Sequence, residues 1–234
     1  MDTSRNNGRV LIIEDQASIR RFIGDYLRQN GYEVIEAWSL EAAYRTYSLL
    51  KPDFIILDVL LDEENGLDFI RSKPGETVII VVSSLGSAMD RVTALELGAD
   101  DYLVKPIEPR ELLLRLQRIR AKYAEYQASN NLEVIADVTI DLVERIMSGP
   151  SRRRVKLTLS ELILLRLLVD QQGLPIQKQD MSRKVLGHGV EDGSRALDVM
   201  VSKLRRKLTD VDSYISIQSV RSMGYMAQIK ISQS

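Results

Sequence analysis

Phe54-Ile55-Ile56-Leu57-Asp58 places four consecutive apolar residues directly before a carboxylate. A short unbroken apolar run reads as a strand buried on both faces, as in a parallel sheet; a strand with one wet face would alternate. The same texture recurs outward along the first half of the chain, at Val10 to Ile13, Val78 to Val82 and Tyr102 to Val104, and Tyr32 to Ala37 reads as a further strand. Helical spacing fills the intervals. Ile19, Phe22, Ile23, Tyr26 and Leu27 define a helix from Ser18 to Asn30, stopped by Gly31. Ser39 is placed to cap a helix to Leu50, and a short helix follows the loop that ends at Gly66. Ser87 to Leu97 is a further helix, stopped by Gly98, and Glu108 to Tyr126 is the last. Five strands each followed by a helix predict a doubly wound five-stranded parallel α/β sheet, with its functional groups at the carboxyl ends of the strands.

The polar stretch 126–131 predicts a linker, and beyond it the texture changes. Leu132 to Ile135, Val138 to Leu142, Arg145 to Ser148 and Arg154 to Leu157 alternate as in a small antiparallel sheet. Thr158-Leu159-Ser160-Glu161 has the form of a capping box and opens a helix to about Gln171. Two more helices, about Gln177 to Leu186 and Ser194 to Leu208, and a closing hairpin from Ile215 to Ile231 complete an α+β unit.

Composition narrows the chemistry. Of 234 residues, 44% are hydrophobic and 28% charged, a profile of folded globular proteins rather than disordered ones. The absence of cysteine excludes disulfides, zinc fingers and thiol catalysis, and the single histidine, His188, excludes a catalytic triad or a multi-histidine metal site. No apolar run reaches the roughly 20 residues that span a bilayer, and the polar N-terminus lacks a signal-peptide core; a cytoplasmic protein without a membrane partner is expected. The formal net charge of −1 divides into −5 over residues 1–125 and +4 over 126–234. That asymmetry suits a regulatory half joined to a nucleic-acid-binding half.

Glu14 and Asp15 end the first strand and Asp58 the third, so a parallel sheet brings three carboxylates into one crevice. Oxygen donors alone suit a hard cation, Mg²⁺ in particular. Ser83 ends the fourth strand and Lys105 the fifth, adding a hydroxyl and an ammonium. A carboxylate nucleophile, a metal, an ammonium and a hydroxyl are the parts needed for phosphoryl transfer to an aspartate.

With these residues in place, residues 8–125 resemble the receiver domain of two-component response regulators, a flavodoxin-like fold. The likeness lies in Glu14-Asp15, Asp58 with Gly66 eight residues on, Ser83, Gly98-Ala-Asp-Asp-Tyr102 and Lys105-Pro106. The resemblance implies that Glu14, Asp15, Asp58 and the backbone carbonyl of Leu60 hold Mg²⁺. It implies too that Asp58 accepts the phosphoryl group from a sensor histidine kinase, and that Ser83 and Lys105 contact the phosphate. Tyr102 would be the aromatic that reorients with Ser83, and the Lys105-Pro106 bond would be cis. Three positions depart from the family pattern: Asp62 stands at a usual proline, Ser83 at a frequent threonine and Ser84 at a frequent alanine. The acidic run Asp62-Glu63-Glu64 either adds metal affinity or disfavours a phosphate.

In the helix from Ser194, Leu197, Val201, Leu204 and Leu208 form one apolar stripe. The opposite face carries Arg195, Val199, Ser202, Lys203 and Arg206, a surface fit for a major groove. Arg221 lies near the hairpin tip, where it can enter a minor groove. Residues 132–234 resemble the winged helix-turn-helix DNA-binding domain of the OmpR/PhoB subfamily. The shared elements are Leu157-Thr-Leu-Ser-Glu161, Arg195, Asp198-Val199, Leu204-Arg-Arg-Lys-Leu208, Val220-Arg221 and Gly224-Tyr225. The resemblance implies a double-stranded DNA partner whose bases are read by Val199 and Lys203. Arg195, Ser202, Arg205 and Arg206 would hold phosphates, and the turn 187–193 would face RNA polymerase. Ser222 replaces the usual wing glycine.

Phosphorylated members pair through their fourth helix, fifth strand and fifth helix, which here carry Arg91, Asp100, Asp101, Glu111, Arg115 and Arg118. A homodimer on activation is therefore expected. The whole reads as a transcriptional regulator and not an enzyme. Two alternatives stand beside it: a phosphatase using the same aspartate, and a regulator of this fold that works without phosphorylation.

Overall fold

The computed structural model describes residues 7–72, 77–128, 132–142, 144–185 and 194–230. The chain folds as two compact units, Met1–Ile119 and Arg120–Ser234. In the first, the elements run β1 (Arg9–Ile13), α1 (Ala17–Gln29), β2 (Glu33–Ala37), α2 (Leu40–Leu50), β3 (Phe54–Leu57), β4 (Leu60–Leu61), β5 (Glu64–Asn65), α3 (Gly66–Ser72), β6 (Val78–Ser83), α4 (Ala88–Leu97), β7 (Asp101–Val104) and α5 (Pro109–Ala128). Five of the strands form a parallel sheet in the order β2-β1-β3-β6-β7.

The sheet follows from the apolar runs. Val10 to Ile13, Phe54 to Leu57 and Val78 to Val82 are all buried, so both faces are covered by helices and no alternation is needed. Strand order reverses beside β1, and the crevice outside the carboxyl ends of β1 and β3 is the place where such sheets hold ligands. The helix ends obey local chemistry. Ser39 caps α2 through the Ala42 N–H, Ser87 and Asp90 make a reciprocal capping box on α4, and Gly98 at φ 116° ends α4 in a left-handed conformation.

Two details differ from the sequence expectation. Helix α5 continues to Ala128, so 126–128, expected as linker, belong to its last turn; Tyr126-Gln127-Ala128 contains no glycine or proline to stop it. The loop after Asp58 contains a two-stranded antiparallel hairpin, Leu60 opposite Asn65 and Leu61 opposite Glu64.

The second unit contains β8 (Leu132–Ile135), β9 (Val138–Asp141), β10 (Ile146–Ser148), β11 (Arg154–Lys156), α6 (Leu159–Asp170), β12 (Ile176–Gln177), α7 (Lys178–Val185), α8 (Ser194–Asp210), β13 (Ile215–Val220) and β14 (Gly224–Ile229). Strands β11-β10-β9-β8 form an antiparallel sheet and β12-β14-β13 a second. The Thr158–Glu161 capping box opens α6, whose leucines are buried almost all round. Leu197, Val201, Leu204 and Leu208 of α8 are all buried, each burial contributing roughly 1.5–3 kcal/mol. This is an α+β winged helix: α7 and α8 form the helix pair, and β13–β14 the wing.

Candidate functional site

Arg20, in the first turn of α1, turns back to donate to the carbonyls of Glu14 (2.7 Å) and Asp15 (3.0 Å), fixing the turn that carries both carboxylates. The Gln16 N–H adds a 2.9 Å bond to Asp15. Glu14 and Asp58 are buried, Asp15 is half-buried, and one oxygen of each lies within 4.8 Å of the others. Lys105 enters from beyond β7, its backbone N–H bonded to the Ser83 carbonyl and its peptide bond to Pro106 cis. Its ammonium lies 2.7 Å from Glu14 Oε2 and 2.6 Å from Asp58 Oδ2. Burial pushes the Glu14 carboxyl above its ordinary value, opposed by Lys105. Burial works to lower the Lys105 ammonium, but Asp58 and Glu14 prevail and raise it. The donor set fits a hard cation: three carboxylates converge, and a single ammonium already bridges two of them.

The hairpin β4–β5 completes the crevice. Leu60 donates its N–H to Asp58 Oδ1 at 2.9 Å, and Asp62 donates its N–H to Asp15 Oδ2 at 3.3 Å. Gly66 has a steric reason: a Cβ there would collide with the Asp58 carbonyl oxygen. The acidic run is divided in its tasks. All three are exposed, but the Glu64 carboxylate also accepts the Leu40 N–H at 2.7 Å, a negative charge placed on the N-terminus of α2. Asn65 accepts the Leu67 N–H and so supports the start of α3. Trp38, the single tryptophan, is 64% exposed between Ala37, whose carbonyl accepts the Glu14 N–H, and the Ser39 cap.

Ser83 is fully buried, and its Oγ accepts the Leu85 N–H at 3.3 Å. Tyr102 is also buried; its hydroxyl donates to the Leu85 carbonyl at 2.6 Å, and burial raises its pKa. Serine and tyrosine thus meet at the same residue of the β6–α4 loop.

The six residues expected on the pairing face separate. Arg115 bonds to Asp101 at 2.5 Å and to Glu111 at 2.6 Å within the chain. Arg91 and Arg118 are half-buried, each with one buried nitrogen lacking a hydrogen-bond partner, and desolvation lowers the Arg118 pKa. Asp100 is buried and accepts the Ile79 N–H at 2.9 Å, so it braces β6 and is not exposed on that face.

On α8, Ser202 and Arg206 are exposed, and Val199 and Lys203 are half-exposed. Arg195 is in the first turn, but its side chain falls outside the described residues, as does the turn 187–193. Arg205 faces the wing: its Nε donates to the Ile217 carbonyl (2.9 Å) and its Nη2 to Ser219 Oγ (3.1 Å). Arg221 is exposed at the wing tip, and Ser222 takes φ 61°, the left-handed conformation of the glycine it replaces. Sequence reading missed Arg20 and Glu64: the first closes a turn five and six residues back, which no periodicity marks, and the second meets a helix start 24 residues away.

The family described as "Response regulator receiver domain" matches residues 10–117, and "Transcriptional regulatory protein, C terminal" matches 152–227. The "Probable transcriptional regulator ycf27" of Guillardia theta is 34% identical over 230 residues, covering 94% of this chain and 90% of its own. The "Transcriptional regulatory protein CpxR" of Escherichia coli K12 is 32% identical over 232 residues, covering 93% and 97%. A solved structure of a RitR point mutant superposes with TM-score 0.72 over 95% of this chain and all of that one, at 21% identity, a likeness of fold alone. This chain belongs to the two-component response regulators, in the OmpR/PhoB type that joins a receiver to a DNA-binding transcriptional regulatory domain. Among the described residues no helix is long and apolar enough to cross a membrane.

Proposed function

We propose that residues 8–125 act as a phosphoacceptor and that 132–234 bind promoter DNA, with dimerisation as the link between them. The observation that carries this reading is the convergence of Glu14, Asp15 and Asp58 with the Lys105 ammonium bridging two of them. Asp58 accepts the phosphoryl group from a sensor histidine kinase as an acyl phosphate, its Oδ forming the bond as the histidine nitrogen leaves. Glu14, Asp15, Asp58 and the Leu60 carbonyl are the groups that would hold Mg²⁺, which when bound neutralises charge on the phosphoryl oxygens. Lys105 then exchanges a carboxylate partner for a phosphate oxygen. Ser83 donates its hydroxyl to another, and Tyr102 follows it as the β6–α4 loop moves. Three carboxylates face one ammonium, so the crevice keeps an excess of negative charge that a bound cation would offset before the phosphoryl group arrives.

The activated receiver pairs through the face that carries Arg91, Asp101, Glu111, Arg115 and Arg118. Asp101 and Arg115 already pair with one another within the chain, and an exposed ion pair made by the others would contribute only about 0.2–1 kcal/mol, so these residues select the partner more than they hold it. Pairing raises the effective concentration of the second DNA-binding unit. Val199 and Lys203 read bases; Arg195, Ser202 and Arg206 hold phosphates; Arg221 enters the minor groove. The protein works in the cytoplasm as a regulator without substrate turnover, with RNA polymerase as its further partner.

Light scattering with Mg²⁺, before and after beryllofluoride, tests the link on the wild type and Asp58→Ala. A monomer that becomes a dimer only when Asp58 is present is the expected result. An equal response in the variant would overturn it.

A further inference from the structure

Behind the DNA-reading face, one carboxylate joins three elements. Asp198 on α8 accepts the Tyr225 hydroxyl of wing strand β14 at 2.5 Å and the Lys178 ammonium of α7 at 2.6 Å, both on Oδ1. Tyr225 is 6% exposed, and two cations stand at its ring: the Lys178 ammonium 5.4 Å and the Arg205 guanidinium 5.6 Å from the centroid. Asp198 and Arg205 are seven residues apart on α8, two turns and about 10 Å along one side of the helix, on the shoulder of its buried stripe. The tyrosine therefore lies along the helix, its hydroxyl on one turn and its ring against the cation two turns on. Arg205 meanwhile spends the Nε and Nη2 edge of its guanidinium on the wing carbonyl of Ile217 and on Ser219, the residue paired with Tyr225 across the hairpin. Gly224 closes the arrangement, since a Cβ there would collide with the Ile176 carbonyl oxygen and force β14 away from β12.

We infer that Asp198 is a positioning residue for DNA recognition: through Tyr225 and Lys178 it locks the wing and α7 to α8. The lock holds Arg221 at a fixed distance and angle from Val199 and Lys203. This rests on the DNA-contact assignment above. Two contact groups joined loosely would each order separately on binding; joined rigidly, they share one ordering cost, and their contributions become coupled.

The sign of one substitution separates this from simple electrostatics. Replacing a carboxylate near a polyanion should strengthen binding if charge alone matters. The lock requires that Asp198→Asn weaken binding, on the order of tenfold, the size of one lost charge-assisted hydrogen bond. Tyr225→Phe, which keeps the ring and removes the hydroxyl, should weaken it in the same direction. The probe is a duplex enriched from a random-sequence pool with the full chain, its affinity measured by fluorescence anisotropy. In a double-mutant cycle, Arg221→Ala should cost less in the Asp198→Asn background than in the wild type. Tighter binding by Asp198→Asn, or additive costs in the cycle, would overturn the inference. Amide exchange provides an arm without DNA: residues 215–229 should lose protection in Asp198→Asn and Tyr225→Phe while α6 keeps its own. If the wild type enriched no duplex, the DNA reading would fail, and unchanged exchange of the wing would still refute the lock by itself.

Discussion

In the crevice outside β1, β3 and β7, a lysine ammonium lies within 2.7 Å of two buried carboxylates; along α8, Ser202 and Arg206 lie open to solvent. One unit folds its charges inward against one another, and the other leaves cations on a surface. Buried charges shift pKa values, respond to a single proton or metal, and are costly to unbalance. Exposed charges cost little to hold and act through counterion release over a whole contact. The proposed phosphoryl chemistry draws on the inward charges and the proposed DNA contact on the outward ones, and the contrast can be tested residue by residue.

The largest effect is expected at Lys105. Lys105→Met leaves Glu14 and Asp58 as adjacent buried anions and should cost about 3 kcal/mol in urea unfolding without divalent metal, with saturating Mg²⁺ restoring much of it. Unchanged stability would show that the pocket's charges are solvated like those on α8. Gly66→Ala comes next. Its Cβ must push the Asp58 carbonyl away, so about 2 kcal/mol of stability and most Mg²⁺ affinity should be lost together, as read by unfolding and calorimetry.

A pH series sharpens the contrast further. Burial raises the Glu14 pKa, so the folded chain binds that proton more tightly than the unfolded one. The group's contribution to stability should rise as pH falls through its raised value, while Mg²⁺ affinity falls, by up to about tenfold per pH unit. Calorimetric titrations on either side of that pKa check it; a flat affinity would remove Glu14 from the ligand set. The smallest effect belongs to the open face. Arg206→Ala should leave stability within about 0.5 kcal/mol and reduce the slope of log affinity against log salt by about 0.9. An unchanged slope would mean that Arg206 touches no phosphate.

Much of this was legible in the sequence, for reasons that also mark where legibility stopped. Each central strand is a continuous apolar run, and Ser39, Ser87 and Thr158 announce their helices by local hydrogen bonding, so the five-stranded parallel sheet followed from pattern, whereas its strand order did not. The convergence of Glu14, Asp15, Asp58 and Lys105 followed from strand ends. What periodicity could not reveal were side-chain contacts that follow no repeat: Arg20 under the Glu14 turn six residues back, and the remote pairs Glu64 on the N-terminus of α2 and Tyr225 on Asp198. Asp100 and Arg205 show a related limit. Sequence reading places the first on the pairing face and the second against DNA phosphates, yet each bends to a backbone group inside its own unit. A residue's place on an element is set by sequence; the direction of a long side chain is set by whichever partner packing offers it.

Trp38 has a practical consequence. Because it is the sole indole and stands at the rim of the acidic crevice, ultraviolet excitation at the red edge of the spectrum addresses one region only. On the phosphoacceptor reading proposed above, its emission would report cation and phosphoryl occupancy, while the DNA-binding unit contributes no indole signal. A labelled duplex can then be followed at another wavelength in the same cuvette. The order in which the two units respond can thus be timed in a single unmodified molecule.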